Sequence, residues 1–153
     1  MNIPYSENAE NPGSNPSTTP GDTPVASMVI PQKILTSDVS MRDPACPFCE
    51  IMRTRQGAVI VVEWTDCVAF EPINPVTDGH VLVVPRWHVT DASVSSVLSG
   101  VVMERACEVG RSMGEFNVIT SVGSAATQTI PHLHLHVVPR REGDGLMLPW
   151  SKR

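Results

Sequence analysis

Three histidines at alternate positions, in the run His132-Leu133-His134-Leu135-His136, constrain this chain more than any other feature. Alternation of polar and apolar residues is the period of a β-strand, whose successive side chains point to opposite faces. Read as a strand, the run puts three imidazoles in a row on one face, with neighbours about 6–7 Å apart. Leu133, Leu135 and Val137 then enter a core on the other face. Two chemistries suit such a row. One is a metal site built from strand histidines. The other is a nucleophilic site in which flanking imidazoles hold an anion. The metal reading asks for a nearby carboxylate, and none lies in the strand. Glu142 and Asp144 come only after Pro139-Arg140-Arg141. Three ordinary solvated histidines are the poorest account, because the chain has only five among 153 residues.

The surrounding pattern is that of short strands and one long helix. Residues 58–63 and 66–70 are apolar and β-branched on either side of Trp64-Thr65, which reads as a hairpin. Residues 71–79 hold Pro72, Pro75 and Gly79 and read as a loop. Residues 81–85 form a short apolar run, a buried strand. Thr90 or Asp91 can cap a helix running to about Met113, with Gly114 as its stop. Val94, Val97, Leu98, Val101, Val102, Ala106 and Val109 recur along it at helical spacing. Residues 117–122 and 132–138 complete the strands. An antiparallel sheet with a helix on one face follows, an α+β architecture.

Seven of the 14 prolines lie before Cys46. Residues 1–42 hold too little apolar surface to offset the entropy of ordering them. They read as a flexible tail, with Val29-Ile30 and Ile34-Leu35 as points that can dock on a domain spanning 43–153. A net charge of −5 argues against a nucleic-acid partner, which asks for a basic face. No apolar run approaches the roughly 18 residues of a membrane span, and the N-terminus lacks the basic-then-apolar order of a signal peptide. The expectation is a cytoplasmic protein, and nothing marks a disulfide framework. Cys67 and Cys107 read as small buried apolar residues. Cys46-Pro47-Phe48-Cys49 is different, because its spacing supplies half of a tetrahedral zinc site. Redox exchange is a poorer reading of that pair, since no βαβ pattern surrounds it. No G-x-x-x-x-G-K-[ST] loop is present, which removes P-loop chemistry.

The run His-Leu-His-Leu-His-Val-Val resembles the signature of the histidine-triad (HIT) family. Cys46-Pro47-Phe48-Cys49-Glu50-Ile51, Ala69-Phe70, Ile73-Asn74-Pro75, residues 79–85 and His88 fall in the family's order, so the similarity covers about residues 46–150. Gly143-Asp144-Gly145 and Leu148-Pro149-Trp150 resemble its actinobacterial or actinophage branch. The resemblance implies a HIT-like fold, a five-stranded antiparallel sheet with one main helix, in a homodimer. It implies hydrolysis or transfer at a nucleotide α-phosphate through a nucleotidyl-histidine, on a nucleoside phosphoramidate or dinucleoside polyphosphate. By position His134 is the nucleophile, His136 binds the phosphate and His132 orients the site. Gln128 and Thr129 match the polar pair at the bridging oxygen and leaving group, and Ile73 the residue packed on sugar or base. Ser121 stands where many members have an asparagine near the phosphate, and Pro72 where many have an acid for the ribose hydroxyls. Cys46, Cys49, His88 and His132 match a structural zinc site, with His80 as an alternative fourth ligand or a support for the histidine strand. Magnesium is not required. The rivals are a non-catalytic nucleotide-binding module and a tri-histidine metalloenzyme. Trp87 and Trp150 read as core, tail or base-stacking residues.

Overall fold

The computed structural model describes residues 40–148. Most of the expected tail, with its docking points at Val29-Ile30 and Ile34-Leu35, lies outside the described residues, as does Trp150. Ser40, which the sequence assigns to the tail, exchanges backbone hydrogen bonds with His88.

The described chain runs through helix α1 (Pro47–Thr54), strands β1 (Ile60–Glu63), β2 (Cys67–Phe70) and β3 (Val81–Pro85), helix α2 (Ser96–Gly110), and strands β4 (Phe116–Ile119) and β5 (Leu135–Pro139). The strands form one antiparallel sheet in the order β1-β2-β3-β5-β4. The fold is thus the α+β arrangement expected, a five-stranded antiparallel sheet with one main helix, and a short second helix lies on the opposite face. Strand β5 is interior, paired on both edges.

The two faces of the sheet carry different covers, and strand alternation decides which residue meets which. Cys67, Ala69, Val81, Val83, Leu135 and Val137 face α2, which contributes Leu98, Val102, Ala106 and Val109. Val68, Phe70, Leu82 and Val84 face the other way, against Phe48, Cys49 and Met52 of α1. Trp87 packs at the margin of the α2 core. Gly110 is required where it stands, because the ring of Phe116 occupies the place of a side chain there.

Helix α2 begins later than its apolar spacing suggests. Asp91 accepts hydrogen bonds from the backbone and hydroxyl of Ser93 and so closes a turn. The helix cap is Ser95, which accepts from the Leu98 N–H. Val97, expected in the core, is 49% exposed on the outer side. Helix α1 has two local signals that the long-helix pattern overshadows. Pro47 stands at its first turn, where its missing N–H costs nothing, and Phe48, Cys49 and Met52 share a buried side. The histidine strand starts at Leu135 rather than His132. Pro131 has no N–H to offer a ladder. The His132 N–H turns to the Ile130 carbonyl, and the Leu133 N–H reaches the Val89 carbonyl at 2.7 Å. The first two histidines therefore sit on a segment stitched to residues 88–90, while the third sits in the sheet. No helix among the described residues is long and apolar enough to cross a membrane.

Candidate functional site

The five histidines make two groups joined by one peptide segment. His132 is fully buried. Its Nε2–H donates to the Pro85 carbonyl at 3.1 Å, which leaves Nδ1 with its lone pair. That lone pair faces two thiols, Cys46 Sγ at 3.3 Å and Cys49 Sγ at 3.6 Å. His88 Nδ1 lies 3.5 Å from Cys49 Sγ. Its other nitrogen points towards the Asp43 carboxylate, 3.7 Å away, and the Asp43 N–H donates to Cys49 Sγ at 3.4 Å. The four candidate ligand atoms of Cys46, Cys49, His88 and His132 all lie within 4.8 Å of one another.

This set fits a tetrahedral ion. Zinc holds sulfur at about 2.3 Å and nitrogen at about 2.0–2.1 Å, so tetrahedral ligands stand about 3.5–3.6 Å apart across an S–N edge. The three sulfur–nitrogen contacts, 3.3, 3.5 and 3.6 Å, bracket that spacing. Both imidazoles present a nitrogen to the cluster while the opposite nitrogen faces an acceptor, the arrangement that orients metal-ligating histidines. Burial, then the neighbouring His88 and His134, holds His132 down to about 4, so its ring stays neutral and able to ligate. Burial pushes the Cys49 thiol up to about 11. Among the described residues this is the one such cluster, and His134 and His136 are outside it. The row of three equivalent histidines is therefore divided. His132 turns towards the cysteines, and the tri-histidine metal centre does not form. His80, the alternative ligand, is not in the cluster either.

The second group faces a cavity of about 560 Å³, a size typical of small-ligand sites. Phe48, Phe70, Leu82 and Ile130 supply apolar wall, and His80, Ser121, Thr127, Thr129, His134 and His136 supply polar groups. His134 is anchored through Nδ1, whose N–H donates to the His132 carbonyl at 2.6 Å. Its own carbonyl accepts from the Thr120 hydroxyl at 2.9 Å. With Nδ1 protonated, Nε2 carries the free lone pair. His136 lies next along the strand, its ring centroid 5.1 Å from that of His134. His80 sets its proton. The Val76 N–H donates to His80 Nδ1 at 3.2 Å, so His80 Nε2 bears the hydrogen. It donates to His136 Nδ1 at 2.9 Å, which makes His136 Nε2–H a donor. Burial lowers both His80 and His134 below the ordinary imidazole value. Burial, then His134 and His80, lowers His136 to about 4. All three rings are neutral at pH 7.

The other expected site residues divide as well. Ile73, Ser121 and Thr129 line the cavity, and so does Pro72. Ile73 is 85% exposed, a rim residue. Gln128 does not line it. The Gln128 amide N–H groups donate to the carbonyls of Thr90 and Ile130, at 2.7 and 3.1 Å, and its oxygen accepts from the Gly123 N–H at 2.9 Å. Both amide hydrogens and one lone pair of the oxygen are thus engaged by the loop at the cavity edge. Sequence reasoning missed Thr127, a lining residue held in the left-handed region at φ 66°. Non-glycine residues adopt that region at a cost, typically where surrounding structure demands it. It also missed Phe48 as cavity wall. The signal was the apolar residue between the two cysteines.

Comparison with known proteins gives the family and the fold. The model of the HIT domain family matches residues 53–143. An uncharacterized HIT-like protein of Methanocaldococcus jannaschii is 35% identical over 115 residues, covering 70% of this chain and 88% of that one. The adenosine 5'-monophosphoramidase HNT1 of Saccharomyces cerevisiae is 28% identical over 112 residues, covering 71% of each. Among solved structures, a HIT family hydrolase from Clostridium thermocellum superposes with a TM-score of 0.62 at 26% identity, over 70% of this chain and all of that one.

Proposed function

The chain belongs to the HIT family, and from that premise we propose that it cleaves a bond at the α-phosphorus of a nucleotide through a nucleotidyl-histidine on His134. The observation that carries this reading is the pair of fixed tautomers facing one cavity: a lone pair on His134 Nε2 beside a hydrogen on His136 Nε2. A nucleophile needs the first, and a phosphate oxygen gaining negative charge needs the second.

In the first half-reaction His134 Nε2 attacks phosphorus, the N–P bond forms and the bond to the leaving group breaks. His136 Nε2–H donates to a non-bridging phosphate oxygen as charge builds there. Thr129 and Ser121 bind the phosphate and leaving-group side, and Ile73 covers the sugar or base at the rim. The leaving group departs with a proton drawn from a hydroxyl or water, an effect worth roughly 10²–10⁴ in rate. In the second half-reaction water, or another acceptor, attacks phosphorus and returns a proton to the hydroxyl or water that protonated the leaving group, the N–P bond breaks and His134 returns neutral. His132 acts through its backbone carbonyl, which holds His134 Nδ1–H, while Gln128 braces the loop that presents Thr127 and Thr129. Cys46, Cys49, His88 and His132 would hold a structural zinc ion, which would tie down the segment before the nucleophile, and the reaction written here calls on no magnesium.

The substrate class is a nucleoside phosphoramidate or a dinucleoside polyphosphate; the phosphoramidase activity in the name of the yeast relative supports the former. We place the protein in the cytoplasm as a homodimer. The outer side of α2, with exposed Val97 and Met103, and the free edge of β4, with Ile119, supply the contact. The C-terminal Gly143-Asp144-Gly145 motif supports an actinobacterial or actinophage affiliation. The test is incubation with adenosine 5'-phosphoramidate and quantitation of released AMP. Turnover supports the reading; AMP binding with no turnover of any purine or pyrimidine donor favours a binding module instead.

A further inference from the structure

Helix α1 has eight residues, fewer than the roughly 12–15 at which an isolated helix begins to hold itself together in water. Its cap residue is Cys46, whose side chain makes no capping hydrogen bond and lies instead among the metal ligands. Cys49, one turn on, is the second thiol of the same cluster. The start of the helix is thus fixed by the two residues that would bind the ion. The remaining attachment is apolar, through Phe48, Ile51 and Met52, with one ion pair at the far end, between the capping Arg55 and Glu63 of β1 at 2.6 Å.

This weakly self-sufficient helix nevertheless forms one wall of the cavity, through Pro47, Phe48 and Ile51. Phe48 lies between the two cysteines in sequence and touches both histidine groups in space. Its ring centroid is 5.3 Å from that of His134, edge-on, and 5.9 Å from that of His132. It also meets Phe70 edge-on at 5.3 Å. One side chain therefore connects the cysteine cluster, the ring assigned as nucleophile and the apolar wall.

We propose that metal binding and nucleotide binding are coupled through α1. Ligation of Cys46 and Cys49 seats the helix, and the seated helix completes the nucleotide wall and packs the His134 ring. The inference rests on reading the cavity as a nucleotide site. Coupling between two sites is reciprocal, so each ligand tightens the other by the same factor. Typical couplings span about 5–150-fold, and the single-helix connection here is expected near tenfold.

The experiment measures AMP affinity calorimetrically on zinc-loaded and metal-free full-length protein, and zinc affinity by chelator competition with and without AMP. Hydrogen exchange is followed in parallel. The expected result is AMP binding weaker by about tenfold without metal, zinc binding tighter by the same factor with AMP, and faster exchange confined to α1 and its flanks. A Phe48→Ala variant keeps all four ligands; it should bind zinc and lose the linkage. Equal AMP affinity in the loaded and metal-free proteins overturns the proposal. So does loss of protection across β3 and β5 on metal removal, since the ion would then hold the whole fold rather than one wall. Zinc-loaded protein that binds no AMP refutes the nucleotide reading itself, and the linkage with it, and is recognised before any metal-free measurement.

Discussion

His132 and His136 occupy equivalent positions in the sequence pattern, two residues either side of His134, and do opposite things in the structure. The His132 ring is sealed against two thiols and His88, with a carbonyl behind it. The His136 ring borders a cavity, with another imidazole behind it. Both are held neutral chiefly by burial, at about 4. What differs is the nitrogen left over. The partner behind His132 takes a hydrogen and leaves a lone pair, which suits a cation. The partner behind His136 gives a hydrogen and leaves a donor, which suits an anion. The second neighbour, not the strand position, decides the chemistry of an imidazole.

That contrast can be broken from either end. Replacing the residue between them has the largest effect: His134→Ala should lower kcat by about 10³-fold or more, with far-UV circular dichroism unchanged. Next, Cys49→Ser should remove the metal from elemental analysis and lower Tm by roughly 10 °C, because the ion's binding energy is part of folding. His80→Ala should lower kcat by roughly 10–100-fold, the range for loss of an orienting partner, while zinc content stays as it was. Were the His80 end needed to hold the ion, the His80 variant would lose zinc as well as activity.

The smallest effect is on pH dependence. An unfolded imidazole takes up a proton below about 6.5, whereas folded His136 does so only near 4. Between those values the unfolded state binds more protons, so stability is fully present above about 6.5 and declines as pH falls towards 4. His132 acts in the same direction. Urea midpoints at pH 7.5, 6.0 and 5.0 should fall in that order. A midpoint that stays flat would mean that the rings are open to solvent.

Much of this was legible because alternation and helix spacing report which face is buried. Leu135 and Val137 enter the α2 core as their positions require. Where the reading failed, a local competitor decided. Asp91 prefers its own turn with Ser93, so the helix waits for Ser95. Pro131 withholds an N–H, so the strand waits for Leu135. The hydrogen bonds from Gln128 to the carbonyls of Thr90 and Ile130 were not legible either, because they leave no trace in residue spacing. Helix α1 is too short to announce itself by periodicity, and its place depends on contacts with residues far along the chain.

The central claim is a covalent bond to His134 Nε2, and rapid quenching in alkali followed by peptide mass spectrometry tests it most directly. After mixing with adenosine 5'-phosphoramidate, the account predicts a transient adenylyl group on the peptide bearing His134, formed in a burst that matches enzyme concentration and absent from His134→Ala. Steady AMP release with no adduct at any quench time, or an adduct that survives in His134→Ala, would contradict it.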